Sequence, residues 1–246
     1  MSKLSVIGLL IIIAAIAILV STRGHIFNRG LVPDGKVVTE THTVGDFTKL
    51  KLNGVFRIVI SQDGGPVWVK VETDQNLQQT VEMKNEGDEL MVGSKSELHF
   101  PNPTKMVVYI NVKELKSLTN NSLGKVETSG KIKAQDLYLK NDAVGKTILS
   151  LDVQALTAKL DAVGATILSG SAGNAHFDNN SVGKLEAYNL KTDTLSITNK
   201  AVGAVEVDAE QEITIVHEGV GSLHYRGAAK ATSIKDNGVG KVSKAD

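Results

Sequence analysis

Asn141-Asp142-Ala143-Val144-Gly145, Leu160-Asp161-Ala162-Val163-Gly164 and Asn179-Asn180-Ser181-Val182-Gly183 follow one another in mid-chain as variants of a single unit. Its last two residues return as Leu123-Gly124, Val144-Gly145, Val163-Gly164, Val182-Gly183, Val202-Gly203, Val220-Gly221 and Val239-Gly240. The glycine spacings are 21, 19, 19, 20, 18 and 19. So narrow a period marks a stacked solenoid, in which one repeat cannot cover its own apolar face and leans on the next.

Aligned on the glycine, the repeats resolve into columns. Eight and six positions before it stand Leu137/Leu139, Leu156/Ala158, Ala175/Phe177, Leu195/Ile197 and Ile213/Ile215, a period-two alternation with one face inward. Four before is a polar column of Asn120, Asn141, Asn179, Asn199, His217 and Asp236, broken by Leu160. Two before, the residue is always Ser, Ala or Gly. Each repeat therefore reads as strand, tight arc, strand. Seven parallel coils at about 4.8 Å make a stack roughly 30 Å long.

The glycines Gly124, Gly145, Gly164, Gly183, Gly203, Gly221 and Gly240 read as corner devices, where positive φ or close backbone approach is needed in every coil. The asparagines, Asn141, Asn179 and Asn199 among them, read as a stacked amide ladder. Ligand or calcium binding is the competing role, and recurrence in coil after coil favours the ladder. The valine before each glycine is expected in the core. Straight alternation would turn it outward and a glycine bulge inward, and seven stacked exposed valines exceed what a soluble monomer usually tolerates.

Composition agrees with narrow coils. Apolar residues make up 41% of 246 residues but aromatics only 4%, so the core is built of Val, Leu, Ile and Ala. The 27 basic residues balance 27 acidic ones, which leaves no electrostatic footprint for nucleic acid. The chain has no cysteine, which excludes disulfides, thiolate metal sites, a cysteine nucleophile and a lipidated N-terminal cysteine.

Lys3 precedes an uncharged run from Leu4 to Val20, closed by Ser21, Thr22 and Arg23. Residues 1–23 read as a hydrophobic helix, either a retained membrane anchor through residues 4–20 or a cleaved signal ending at Ala15-Ile16-Ala17. The apolar residues that continue to Val20 favour the anchor. Residues 24–36 read as a linker, and the β domain beyond it is expected outside the cytoplasm.

Residues 37–246 read as one solenoid domain, with an atypical N-terminal cap and first rungs over 37–113 and Val-Gly repeats over 114–246. In the cap, Phe47–Lys51, Val55–Ile60 and Val67–Val71 are strand-like, Asn76–Gln79 a short helical turn, and Asn85-Glu86-Gly87-Asp88 a hairpin loop. Phe100-Pro101-Asn102-Pro103 reads as a loop, and Gly170-Ser171-Ala172-Gly173 as a simple turn between coils.

The three quoted pentads, preceded by Phe47-Thr48-Lys49-Leu50, Val55-Phe56-Arg57-Ile58-Val59-Ile60 and the Val107–Ile110 strand, resemble the head GIN domain family. These are the "putative auto-transporter adhesin" domains of Bacteroidetes-type bacteria. The resemblance covers about Val37 to Val242 and implies a right-handed parallel β-helix on the bacterial envelope. The long N-terminal apolar run and the missing acylatable cysteine depart from many relatives and point to an inner-membrane anchor or plain export.

Little in the chain reads as chemistry. Asp142 and Asp161 fall on adjacent coils about 5 Å apart, close enough to hold a cation or to share acid/base work, although aspartate is also a default turn residue. Glu186 and Glu206 form a similar pair, and Lys125, Lys146, Lys184 and Lys241 a broken outward stripe that suits acidic glycans or simple solubility. The six histidines show no metal-ligand spacing, and no nucleophile elbow, phosphate loop or dinucleotide fingerprint is present. No cofactor is expected. The sequence supports a non-catalytic envelope protein that presents a rigid surface to a glycan or protein. Its alternatives are a β-helix carbohydrate-active enzyme using Asp142 and Asp161, or a purely structural envelope protein.

Overall fold

Alternation of buried and more exposed side chains runs through the straight stretches of the strands and is interrupted where the longest ones bend. In β15 (Glu212–His217) the apolar Ile213 and Ile215 turn inward while Thr214 and Val216 face out. A computed structural model describes residues 31–95 and 105–245. The apolar run Leu4–Val20, with the helix expected there, and the Phe100–Pro103 loop lie outside the described residues. Among the described residues no helix is long and apolar enough to cross a membrane.

The cap comprises β1 (Val37–His42), β2 (Lys49–Asn53), β3 (Arg57–Ser61), β4 (Trp68–Asp74), a 3-10 helix (Gln75–Thr80), β5 (Val81–Glu86), β6 (Glu89–Ser94) and β7 (Val107–Asn111). The repeats comprise β8 (Ser117–Asn120), β9 (Leu123–Ser129), β10 (Ile132–Asn141), β11 (Val144–Leu160), β12 (Val163–Asn179), β13 (Val182–Asn199), β14 (Val205–Asp208), β15, β16 (Leu223–Arg226), β17 (Lys230–Asp236) and β18 (Val242–Lys244).

These strands stack into two long parallel ladders. One runs β6, β2, β8, β10, β11, β12, β13, β15, β17. The other runs β7, β3, β9, β11, β12, β13, β14, β16, β18. Strands β11, β12 and β13 bend round the coil and belong to both, so the architecture is an all-β solenoid of about seven turns. At the N-terminal end the pattern changes. β4 lies antiparallel to β7, β1 antiparallel to β4, and β5 antiparallel to β6, so antiparallel strands cover the end that parallel coils would leave open.

Inward rows run the length of the stack. Leu90, Leu50, Leu118, Leu139, Ala158, Phe177, Ile197 and Ile215 follow one another in register and all are buried. Phe177 fits because its neighbour in the row is Ala158, a small residue beside the one large ring. Each such buried leucine or isoleucine contributes about 1.5–3 kcal/mol.

The corner glycines combine both features that exclude a side chain. Gly164 has φ +127°, and a Cβ there would lie 2.1 Å from the carbonyl oxygen of Gly145. The corner valines correct the sequence expectation. They face solvent: Leu123 is 50% exposed, Val144 49%, Val163 47%, Val182 39% and Val239 60%. The reason is parity. The buried small residue two before the glycine and the buried residue two after it, such as Ala162 and Thr166, keep even spacing through the corner, although the glycine between them is itself not buried. No bulge resets the alternation, so the valine stays outside.

A second correction concerns Gly170–Gly173, which is no turn between coils but part of β12. Gly170 has φ +103° and sits over Leu151, whose carbonyl oxygen would be 1.9 Å from a Cβ.

Candidate functional site

The outer side of the Val-Gly corner carries a continuous surface feature. Val55, Leu123, Val144, Val163, Val182, Val202, Val220 and Val239 are joined by successive parallel bridges into one ridge. Val55 belongs to the cap and extends the ridge by one rung, with 58% of its surface exposed. Sequence alignment misses it because Phe56 replaces the glycine there; its trace is the apolar-apolar pair one coil before Leu123-Gly124. Seven of the eight side chains are exposed and Val202 partly so, which puts on the order of 500 Å² of apolar surface on one line, the size of the largest patch on an ordinary monomer.

Two polar columns flank the ridge. The column three before the glycine reads Asn53, Asn121, Asp142, Asp161, Asn180, Lys200, Glu218 and Asn237. The column one after reads Arg57, Lys125, Lys146, Ala165, Lys184, Ala204, Ser222 and Lys241. Several of these charges have partners within the chain. Lys125 and Arg57 both reach Glu127, and Lys184 lies 3.5 Å from Glu186 and 3.2 Å from Glu206. The pair Glu186 and Glu206 is thus bridged by a lysine, whose ammonium is held above the usual lysine range, chiefly by the hydrogen bond to Glu206. Lys146 stands exposed beside the ridge.

Asp142 and Asp161 lie on neighbouring coils, as the backbone hydrogen bond from Asp161 N to Asn141 O requires. Asp142 pairs with Lys140, and Asp161 accepts a hydrogen bond from the Asn180 amide at 3.2 Å. Among the described residues no cluster of three or more His, Asp or Glu side chains is arranged to hold a metal ion. A cleft at the capped end, between β1, the 3-10 helix and β5, is lined by Glu40, His42, Gln78, Gln79 and Asn85 and contains a single carboxylate.

The inner side of the corner is closed. The Asn120 amide donates to Asn141 Oδ1 and to Thr147 Oγ1, both at 3.0 Å, and the Asn141 amide donates to Thr166 Oγ1 at 3.0 Å. Leu160 interrupts the series. It resumes with Asn179 donating to Asn199 Oδ1 at 2.8 Å and Asn199 to His217 Nδ1 at 2.9 Å. Asn141, Asn179 and Asn199 are at most 1% exposed, so a ligand could reach them only by opening a coil. Their amides satisfy one another and the adjoining backbone, as Ser181 N does on Asn179 Oδ1 at 3.3 Å.

Solved structures share this architecture. A "putative adhesin" from Bacteroides fragilis is 24% identical with a TM-score of 0.83, over 88% of this chain and 100% of its own. A "putative adhesin" from Parabacteroides merdae is 21% identical with a TM-score of 0.59, over 88% and 99%. A "putative lipid binding protein" from Parabacteroides distasonis is 20% identical with a TM-score of 0.66, over 89% and 100%. At these identities the likeness is one of fold. Comparison with curated proteins finds no match. With the repeats, the cap and the corner geometry agreeing, and the family's sequence pattern matching residues 46–229, the chain belongs to the family described as "Putative auto-transporter adhesin, head GIN domain".

Proposed function

We propose that this chain is a non-catalytic binding module of the cell envelope, and that it engages a glycan or protein partner through the corner ridge and its flanking columns. The observation that carries the reading is the ridge itself. Eight aliphatic side chains held outward on a hydrogen-bonded stack form a rigid, pre-ordered apolar line with polar borders, so little ordering entropy opposes binding. The family description and the names of the Bacteroides fragilis and Parabacteroides merdae relatives support an adhesive role at the surface. The uncharged run through residues 4–20 supports tethering to a membrane, with the solenoid beyond it outside the cytoplasm.

The test is binding of the full chain to isolated envelope fractions and to glycan and peptidoglycan panels, compared with the triple variant Val144→Ser, Val163→Ser, Val182→Ser. Loss of binding by at least tenfold with unchanged far-UV circular dichroism supports the reading. Undiminished binding by the variant overturns it.

A further inference from the structure

A line of aliphatic side chains, here seven valines and one leucine, repeating at the strand spacing is one half of a steric zipper, the dry contact that forms when two such lines meet. The polar borders of the ridge say which line suits it. One border, the column after the glycine, holds five cations and no carboxylate: Arg57, Lys125, Lys146, Lys184 and Lys241, with Ala165, Ala204 and Ser222 between them. The other holds three carboxylates, four amides and one lysine. The column next to the ridge is thus cationic on one side, backed by Glu127, Glu186 and Glu206, which Arg57, Lys125 and Lys184 also reach, and acceptor-rich on the other, where Asp142 also meets Lys140; that asymmetry across the ridge is the pattern of a self-complementary surface.

We propose that the ridge binds a second copy of this chain, the two solenoids lying parallel about a two-fold axis that runs along the ridge. This deepens the reading of the ridge as a binding surface and rests on it. A two-fold axis in that direction sets each border of one chain against the opposite border of the other, rung for rung. Asp142 then faces the partner's Lys146, Asn121 the partner's Lys125, Asn180 the partner's Lys184 and Glu218 the partner's Ser222. None of the eight rungs opposes like charges: Lys200, the only cation of its column, meets the partner's Ala204. Asp161, opposite the partner's Ala165, lies one rung from the partner's Lys146 and Lys184. The antiparallel arrangement instead sets the cationic column against itself and brings Arg57 onto the partner's Lys241. Charge thus selects the parallel form.

The area is sufficient. The ridge supplies on the order of 500 Å² per chain, and with both borders the contact approaches the roughly 800 Å² per partner of a standard stable interface. The parallel form also leaves both chains' cap ends on the same side, which two copies tethered through their N-terminal segments to one surface require.

The chain has no cysteine, so single cysteines report the geometry directly. Val55→Cys, Val163→Cys and Val239→Cys are made separately in the full chain, in membranes or detergent, and treated with a short thiol cross-linker. Glu212→Cys, on an exposed site of β15 away from the ridge, is the control. The parallel pair predicts same-residue dimers from all three ridge variants and none from the control. Same-residue dimers from Val163→Cys alone, with mixed dimers between Val55→Cys and Val239→Cys, would overturn the parallel arrangement. No dimers from any ridge variant would overturn the second copy as occupant.

A charge exchange checks the border pairing. Lys146→Asp puts carboxylates opposite each other and should weaken dimerisation at least tenfold, and adding Asp142→Lys should restore it. Absence of restoration counts against the pairing. Absence of dimers while the Val→Ser triple variant still loses envelope or glycan binding removes the second copy and leaves the ridge a binding surface for something else. If both fail, the ridge reading falls with it.

Discussion

The two sides of the Val-Gly corner, whose columns stand three positions apart along the chain, make opposite uses of repetition. On the inner side, Asn120, Asn141, Asn179, Asn199 and His217 stack out of reach of solvent and spend their hydrogen bonds on one another. On the outer side, the valines stack just as regularly and remain about half exposed. Both columns recur once per coil, yet one is core and the other surface. In a solenoid, recurrence reports stacking in register and does not report burial. A column persists inside because its members satisfy each other. Burial does not account for a column that persists outside, and it is this column that the proposed binding role uses.

Four substitutions separate the inner role from the outer one, in order of decreasing effect. The largest is the hinge between the two sides. Gly164→Ala puts a methyl group 2.1 Å from the Gly145 carbonyl at φ +127°, and no side chain can move to relieve a backbone clash. A loss of more than about 4 kcal/mol, or failure to fold, is expected in denaturant unfolding. A loss below 1 kcal/mol would mean that the corner is not the rigid element described here.

Next is the inner ladder. Asn199→Ala strands the Asn179 amide and the ring nitrogen of His217 in a buried site. It is expected to cost about 1–3 kcal/mol by the same measurement. The natural Leu160 shows the alternative, since an apolar residue is accepted where it fills the slot and the chain has adapted to it.

The outer valine comes third. Val163→Ser leaves the core untouched, and its effect on unfolding is expected to stay within about 0.5 kcal/mol. A core-sized loss would show that the ridge serves stability.

The smallest effect belongs to the outer ion pairs. Lys184 is hydrogen-bonded to Glu206, and its ammonium pKa is raised in the folded chain. The contribution of this group is therefore complete below the ordinary lysine range and fades as pH climbs through the raised value. Lys184→Met should flatten the alkaline end of a stability-versus-pH profile and leave the neutral region almost unchanged, since a half-exposed pair is screened by solvent.

Much of the fold is legible in the chain because alternation and period are local properties. The inward rows at eight and six positions before the glycine are all buried, from Leu137 and Leu139 to Ile213 and Ile215. The helical turn near Asn76 and the hairpin around Gly87 stand where their turn residues indicate. The antiparallel closure by β1, β4 and β7 was not legible, since nothing in an isolated strand such as Val37–His42 says which neighbour it joins or in which direction. That Gly170 continues β12 instead of making a turn was not legible, because the leucines that hold the equivalent strand positions, Leu151 and Leu190, are identified only by the stacking register.

The sequence by itself determined the period, the parallel register and the residues that line the interior. Each of these follows from spacing along the chain, and spacing survives without knowledge of the third dimension. Only the tertiary structure decided which way the corner valines face and that Val55 joins them. Whether a glycine corner preserves or resets the in-out alternation depends on its dihedral angle and on the carbonyl packed against it from the neighbouring coil. That contact lies about nineteen residues away along the chain and exists only once the coils have stacked.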